Sequence, residues 1–304
     1  MLKIKIGNIE FCSPVIASSG TFGYGDEVKS FVDISKLGGI VTKSITSEPR
    51  LGNSNPRILE SESGMLNAIG LANIGVNEFC DKKIPLINSL NTNIIVSVAG
   101  STIEDYVNVV KEIENTNGNH IGYEINISCP NTKKGGVEFG KDSEMTLKLT
   151  KSIRSLTNKL LIIKLSPNVT SIENIALAAE KGGADAISAI NTIVGMAIDI
   201  NTQKYKLSNK YGGLSGPAIR PIAIANVHKI FNVVSIPVIG IGGVRNSDDV
   251  IEFMLAGASL VQVGTMNYLN PAVGVEISAN LIKHCRNKNI FDISKVIGKV
   301  HNAK

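Results

Sequence analysis

The residues best suited to chemistry lie in one stretch, Glu124 to Asn131, which reads Glu-Ile-Asn-Ile-Ser-Cys-Pro-Asn. An apolar run leads into Asn126 and Cys129, and Pro130 ends any strand because proline cannot donate to a sheet ladder. A thiol and amide side chains therefore stand where a buried strand opens into a loop. A thiolate can act as a base or nucleophile, and amides supply both donors and acceptors. The segment 131–142 that follows is charged and glycine-rich at its start, which is typical of a lid.

Two lysines end apolar runs, Lys43 in Thr-Lys-Ser and Lys164 in Leu-Leu-Ile-Ile-Lys. A buried ammonium group must find an anion or lose its proton, unless its long stem lets it reach solvent. Either lysine alone fits a structural ion pair. Two of them at the same edge of a sheet favour an anion-binding site.

Glycines follow the last two apolar runs, at Gly242-Gly243 and at Gly264-Thr265. Glycine lets the backbone approach a ligand closely, although turns also use it constantly. In α/β barrels the ends of the last two strands often bind phosphate through backbone N–H groups. The two positions together predict a phosphate-binding corner.

The elements that must position these residues are short Val/Ile/Leu-rich runs, each usually followed by a helical pattern. Such continuous apolar runs are expected of parallel strands that are buried on both faces. They predict strands at Val15–Ser18, Gly39–Lys43, Ile94–Ala99, Tyr123–Ser128, Leu160–Leu165, Ala184–Ile190, Pro237–Ile241 and Leu260–Gly264. Eight strands with intervening helices indicate an α/β fold of the (β/α)8 TIM-barrel type, with an open doubly wound sheet as the alternative.

No composition break divides the chain, so residues 1–304 are expected to form a single barrel domain. Insertions are predicted at about 47–71, 131–142 and 195–215, where long polar segments are expected to form loops or short strands at the mouth. Helices are predicted from a capping box at Ser101-x-x-Glu104, over Thr170–Lys181 with Gly182 at its end, and over Asn246–Leu255 with Gly257 as the C′ residue.

Composition excludes several classes of function. The net charge is only +5 and the lysines are spread along the chain, so no nucleic-acid partner is expected. The four cysteines show no zinc-like spacing, so no metal is predicted, and their small number suits a reducing cytoplasm. The first residues resemble neither a signal peptide nor a membrane anchor.

Several separated motifs then agree with one family. Besides Glu124–Asn131 they are Thr-Lys-Ser-Ile-Thr (42–46), Asn-Ala-Ile-Gly-Leu (67–71) and Leu-Ser-Gly-Pro-Ala-Ile (214–219), in order and with barrel spacing from about Pro14 to about Thr265. In these segments the chain resembles class 1 dihydroorotate dehydrogenase. Asn-Ala-Ile-Gly-Leu and Gly-Met-Ala-Ile-Asp-Ile (195–200) resemble subclass 1B, the catalytic subunit that works with an iron–sulfur flavoprotein and NAD.

The resemblance implies oxidation of (S)-dihydroorotate to orotate in de novo pyrimidine (UMP) biosynthesis, with FMN bound at the barrel mouth. The implied cofactor-binding residues are Ser19, Gly20, Lys43, Ser44, Ser97, Asn126, Lys164, Ile190, Gly216, Gly242, Gly243, Gly264 and Thr265. The implied substrate-binding residues are Lys43, Asn67, Ala68, Ile69, Gly70, Leu71, Asn126, Asn191 and Thr192. Cys129 would be the catalytic base, on the face of the substrate opposite the flavin.

The same resemblance implies a partner subunit that carries FAD and a [2Fe-2S] cluster, in a heterotetramer of two catalytic and two electron-transfer subunits built on a homodimer core. Two departures are visible. Ser97 stands where the family usually has asparagine, and Ala72-Asn73-Ile74-Gly75 lacks a common proline. Serine can still hydrogen-bond a flavin carbonyl but reaches less far.

Alternatives remain open at this point. One is a class 1A enzyme that passes electrons to fumarate without a partner, and another is an FMN barrel reductase of the dihydropyrimidine or tRNA dihydrouridine type. A sugar-phosphate isomerase or lyase would need an acid or base pair at the strand ends, where amides and a thiol stand instead. A binding protein or inactive paralogue would keep the pocket without turnover.

Overall fold

The computed structural model describes residues 1–128 and 139–302. Its centre is a closed barrel of eight parallel strands that follow one another around the ring in chain order. The strands are β3 (Val15–Ala17), β4 (Gly39–Val41), β7 (Ile94–Val98), β8 (Gly122–Asn126), β9 (Leu160–Leu165), β10 (Ala186–Ala189), β15 (Val238–Ile241) and β16 (Ala258–Val263). The (β/α)8 barrel prediction is confirmed, and each strand lies within about two residues of its predicted range.

Helices cover the outside of the barrel and connect successive strands. They are α1 (Val76–Glu78), a π-helical stretch (Phe79–Lys83), α2 (Ile84–Ile87), α3 (Ile103–Glu114), α4 (Ser143–Arg154), α5 (Ile172–Lys181), α6 (Arg220–Phe231), α7 (Ser247–Leu255) and α8 (Val273–Asn287). Only a short 3-10 helix, Ile34–Lys36, connects β3 to β4. Further 3-10 turns lie at Phe139–Lys141, Pro217–Ile219, Thr265–Tyr268, Ile293–Val296 and Lys299–Asn302. No helix in the described ranges combines the length and apolarity needed to cross a bilayer.

Two helix ends differ from the sequence prediction. The capping box of α3 is formed by Thr102 and Asp105 rather than by Ser101 and Glu104, because Thr102-x-x-Asp105 satisfies the same pattern one residue later. At the end of α5 Gly182 keeps right-handed helical angles. The left-handed conformation that favours glycine belongs to Gly183, with φ of 96°.

The predicted insertions carry small strands at the mouth. β5 (Ile58–Ser61) and β6 (Gly64–Asn67) come from the first insertion, and β14 (Gly212–Ser215) ends the second. Together with β11 (Ile193–Gly195) they form one antiparallel sheet in the order β11-β14-β6-β5. β12 (Ile198–Asp199) and β13 (Lys204–Tyr205) form a separate pair. The opposite end of the barrel carries the hairpin β1 (Ile4–Ile6) and β2 (Ile9–Phe11), where the backbone carbonyl of Glu10 accepts a hydrogen bond from the side chain of Asn93, just before β7.

Candidate active site

A cavity of about 520 Å³ opens at the carboxyl ends of the barrel strands, beneath the antiparallel sheet β11-β14-β6-β5, here called the mouth sheet. This volume lies in the usual range for small-molecule sites. Its wall brings together almost all the predicted site residues: Ser19, Gly20, Lys43, Ser44, Asn67, Ala68, Ile69, Gly70, Leu71, Asn126, Lys164, Ile190, Asn191, Thr192, Gly216, Gly242, Gly243, Gly264 and Thr265. Cys129 lies outside the described residues, as do most of the predicted insertion 131–142.

Ser97 does not reach the wall. Its side chain is fully buried in β7, and its Oγ lies 2.8 Å from the Oγ of Ser44, which does line the cavity. The Ser97 backbone N–H donates to Thr42 Oγ1. The short serine thus sits behind Ser44, which in turn lies 3.4 Å from Ser19 Oγ. This position gives no support to the predicted direct contact of Ser97 with a cofactor.

Lys43 brings positive charge to one side of the cavity. It follows β4, and its backbone N–H donates to the carbonyl of Gly23 at 2.9 Å. Burial lowers the pKa of the Lys43 ammonium, and the nearby Arg57 guanidinium lowers it further. Arg57 also lines the cavity and was not singled out from the sequence. A bound anion would relieve the repulsion between these two cations.

Amide and hydroxyl groups form a connected network on the other side. Ser128 Oγ donates to Asn126 Oδ1 at 2.7 Å, and Asn191 Nδ2 donates to Ser128 Oγ at 2.6 Å. Asn168 Nδ2 donates to the carbonyl of Thr192 at 2.9 Å. Ser128, predicted as the last residue of a strand, and Asn168 were not assigned a site role from the sequence. The network holds planar amides around the cavity, an arrangement that suits a ring with N–H and C=O groups.

The segment Asn67–Leu71 is fixed above the cavity by the mouth sheet. Asn67 Nδ2 donates to the carbonyl of Gly213 at 3.3 Å, and Ala68 N donates to the carbonyl of Arg57 at 2.8 Å. Asn53 Nδ2 donates to the carbonyl of Ala68 at 2.8 Å. These contacts, two of them from side-chain amides, fix the position of the segment at the cavity.

The predicted phosphate corner lies where β15, β16 and the end of β14 meet. Gly243 has φ of 73°, and a Cβ there would come within 2.8 Å of the carbonyl oxygen of Gly216. Only glycine therefore allows these two loops to approach one another. Thr265 Oγ1 donates to Ser215 Oγ at 2.9 Å. The corner also faces the turn Pro217–Ile219 that leads into α6, and backbone N–H groups at such a helix start suit an anion.

Lys164 reaches the cavity from inside the barrel. Its side chain is 7% exposed, and its Nζ lies 3.3 Å from Oε2 of Glu124, which is 0% exposed. Glu124 Oε1 accepts hydrogen bonds from Ser188 Oγ at 2.9 Å and from Gln262 Nε2 at 2.5 Å. The sequence predicted that a buried lysine needs an anion, but it did not identify Glu124 as that anion.

Comparisons with known proteins agree with this geometry. The family model of dihydroorotate dehydrogenase matches residues 1–285. A protein of Desulforamulus reducens named dihydroorotate dehydrogenase B (NAD(+)), catalytic subunit, is 45% identical over 300 residues, 99% of this chain and 98% of the relative. Proteins with the same name from Alkaliphilus metalliredigens and Bacteroides thetaiotaomicron are each 46% identical, over 98% of this chain and 98% of the relative. The chain therefore belongs to the dihydroorotate dehydrogenase family.

Proposed function

We propose that this chain is the catalytic subunit of an NAD-linked dihydroorotate dehydrogenase, which oxidises (S)-dihydroorotate to orotate in pyrimidine biosynthesis. The observation that carries the proposal is the convergence of several cationic side chains, among them Lys43, Arg57 and Lys164, with an amide network and a glycine-rich corner on one cavity at the barrel mouth. The names of the relatives, which specify the B (NAD(+)) type and a catalytic subunit, support the same reading.

The cavity wall fits flavin mononucleotide. Backbone N–H groups near Gly216, Gly243 and Gly264 would hold the phosphate, and the cavity-lining Lys164 and Ser44 would contact the ring. When bound, the flavin supplies an acceptor for a hydride. Lys164 would stabilise negative charge on the reduced ring. We propose FMN as the flavin because the corner offers room and donors for a phosphate group.

Oxidation of dihydroorotate removes a hydride and a proton from two adjacent carbons. We assign the proton to the thiolate of Cys129, which lies two residues beyond Ile127 and next to the cavity-lining Ser128. The thiolate of an activated cysteine can accept a proton near neutral pH. Lys43 would bind the carboxylate of the substrate, and Asn67, Asn126 and Asn191 would hydrogen-bond its ring. The segment 131–142 would exclude water during the transfer.

We further propose that electrons leave through a partner subunit that carries FAD and a [2Fe-2S] cluster, in a cytoplasmic heterotetramer with a homodimer of this chain at its core. The word subunit in the relatives' names supports a partner. Tyr268 lines the cavity rim and is 52% exposed, and the neighbouring Leu269 is 78% exposed. Such apolar groups beside the cavity would suit a docking protein.

The test begins with the purified chain and its co-purified proteins. We expect a yellow protein that releases FMN on denaturation and is bleached anaerobically by dihydroorotate, with FAD and iron in a captured partner. Colourless protein, or flavin that dihydroorotate does not reduce, would contradict the proposal. Turnover with fumarate by the isolated chain would instead indicate the class 1A activity.

The role of Cys129 is tested by Cys129→Ala, with Cys12→Ala as the control because Cys12 is exposed and lies just before β3. We expect Cys129→Ala to retain FMN but to slow its reduction by dihydroorotate by about 100-fold or more, the usual contribution of a general base. Stopped-flow absorbance measures this rate. A Cys129→Ala rate equal to that of Cys12→Ala would exclude the thiol as the base.

A further inference from the structure

Glu124 is the one carboxylate within the described barrel strands that is fully buried, and the proposed chemistry does not use it. Three side chains from three other barrel strands donate to it: Lys164 of β9, Ser188 of β10 and Gln262 of β16. We call these four residues the Glu124 cluster. Such a group replaces the aliphatic side chains that usually fill a barrel interior.

Burying the charged groups of the Glu124 cluster costs free energy, so the presence of the cluster requires an explanation. Burial removes the hydration of both ions of an ion pair, and apolar residues of similar volume are often at least as stabilising. Among its members only Lys164 lines the cavity. Glu124, Ser188 and Gln262 lie behind the wall, so their shared link to the site is the Lys164 ammonium.

The strand geometry places the cluster directly below the site. Glu124 and Asn126 are two residues apart on β8, so they point to the same side of the sheet, and Asn126 lines the cavity. Asn126 is also the register partner of Lys164 on β9. The lysine side chain therefore turns from the level of Asn126 toward the deeper level of Glu124.

Gln262 supplies the third donor to Glu124. Its Nε2 donates to Glu124, while its Oε1 has no hydrogen-bond partner among the described residues. The reverse orientation would place two oxygens against each other. All three contacts to Glu124 come from donors, so both of its oxygens act as acceptors.

We propose that Glu124 is a positioning residue that holds the Lys164 ammonium at the cavity floor and offsets part of its positive charge toward the flavin. This inference rests on the proposed function, because it requires FMN in the cavity. A cation beside the ring favours the reduced, negatively charged flavin. A carboxylate 3.3 Å from that cation weakens its field. Glu124 thereby keeps the reduced flavin able to pass its electrons on.

The test compares flavin-loaded wild type, Glu124→Gln and Glu114→Gln. Glu114 is the matched control because its carboxylate also pairs with a lysine but lies away from the cavity. We expect Glu124→Gln to bind sulfite at the flavin about tenfold more tightly, and its two-electron midpoint potential to rise by the equivalent of about 30 mV. Glu114→Gln should match wild type in both measurements.

A purely structural role is separated by repeating Glu124→Gln in a Lys164→Gln background. If Glu124 acts through Lys164, the substitution should no longer change the midpoint potential there. A structural role would lower the Tm in both backgrounds and leave the potential unchanged in both, which would overturn the inference.

Glu124→Asp keeps the test valid if Glu124→Gln does not accumulate. It retains the negative charge, but the side chain is one methylene shorter and the carboxylate therefore lies farther from Lys164. Sulfite affinity should consequently rise by less than in Glu124→Gln. A loaded Glu124→Asp protein with wild-type affinity and potential would count against the role. Wild-type protein that takes up no flavin would overturn the proposed function together with this inference. Loaded wild type with an unshifted Glu124→Gln variant overturns the inference alone.

Discussion

Glu114 and Glu124 have the same set of contacts at two different places in the barrel. In each, Oε1 accepts two hydrogen bonds from uncharged donors, Tyr123 and Thr157 for Glu114, while Oε2 lies 3.3 Å from a lysine. The two lysines, Lys159 and Lys164, stand just before and near the end of the same strand, β9. The groups are alike, so the difference between the pairs comes from their surroundings.

The Glu114 pair is open to solvent and the Glu124 pair is not. Lys159 and Glu114 side chains are 32% and 24% exposed, against 7% and 0% for Lys164 and Glu124. Burial raises the pKa of the Glu114 carboxyl, but hydrogen bonds from Tyr123, Thr157 and Lys159 outweigh this and leave the pKa below its ordinary value. A partly exposed pair of this kind contributes at most about 1 kcal/mol. We therefore expect the Glu114 pair to contribute to stability and the Glu124 pair to act on the site.

Lys164→Gln should separate the two ion pairs most strongly, through its effect on catalysis. It removes the positive charge that faces the cavity while keeping a hydrogen-bond donor near Glu124. We expect kcat/KM with dihydroorotate to fall by about 100-fold, as for other donors aimed at developing negative charge. Steady-state kinetics measures this, with Lys159→Gln as the control. Equal losses in the two variants would contradict the claim that Lys164 acts on the site and Lys159 does not.

A second test concerns the pH dependence of stability at the Glu114 end. Burial, together with the nearby Lys159 charge, lowers the pKa of His120 to about 4. Because the unfolded-state pKa is about 6.5, the unfolded chain binds a proton between these values that the folded chain does not, so stability falls as pH drops from about 6.5 to about 4. His120→Gln should reduce this loss by about 3 kcal/mol.

Urea denaturation of wild type and His120→Gln at pH 7 and at pH 4.5 measures the difference. Flavin affinity at pH 7 should be the same in both proteins, since His120 lies outside the cavity wall. An identical pH dependence in the two proteins would show that His120 is not the titrating group.

The smallest of these effects is expected for Tyr123→Phe. The Tyr123 hydroxyl donates to Glu114 Oε1 at 2.7 Å, which leaves its oxygen to accept from His120 Nε2 at 2.8 Å. Loss of the hydroxyl leaves buried polar groups without partners and should lower the free energy of unfolding by about 2 kcal/mol. Thermal and urea unfolding measure this, and a shift of the flavin midpoint potential would contradict the separation of the two regions.

Much of the fold followed from local patterns. All eight barrel strands were predicted because parallel strands covered on both faces need long apolar runs, such as Leu160–Leu165. Family membership also followed from separated motifs and is confirmed by the comparisons. The capping box was misplaced by one residue because two overlapping tetrads satisfy the same rule, and only packing selects between them.

The parts that escaped prediction depend on contacts between distant strands. Glu124 was seen as the start of a motif, yet its partners Ser188 and Gln262 are 64 and 138 residues away in sequence. No local sequence pattern indicates that donors on three other strands converge on the Glu124 carboxylate. A charged residue inside an otherwise apolar strand was the available signal, because its burial is costly without partners. The position of Ser97 behind Ser44 likewise depends on how β4 and β7 face each other.

The antiparallel sheet over the cavity, β11-β14-β6-β5, has a consequence for the order in which the chain folds. Its two halves meet through the pairing of β6 with β14, where Asn67 and Gly213 lie 146 residues apart. Joining such remote segments costs loop-closure entropy that nearby contacts do not. Residues up to Gly213 must therefore be synthesised before this sheet can form over the cavity. A fragment that ends before β14 lacks this strand pairing, so the sheet over the cavity is completed late in synthesis.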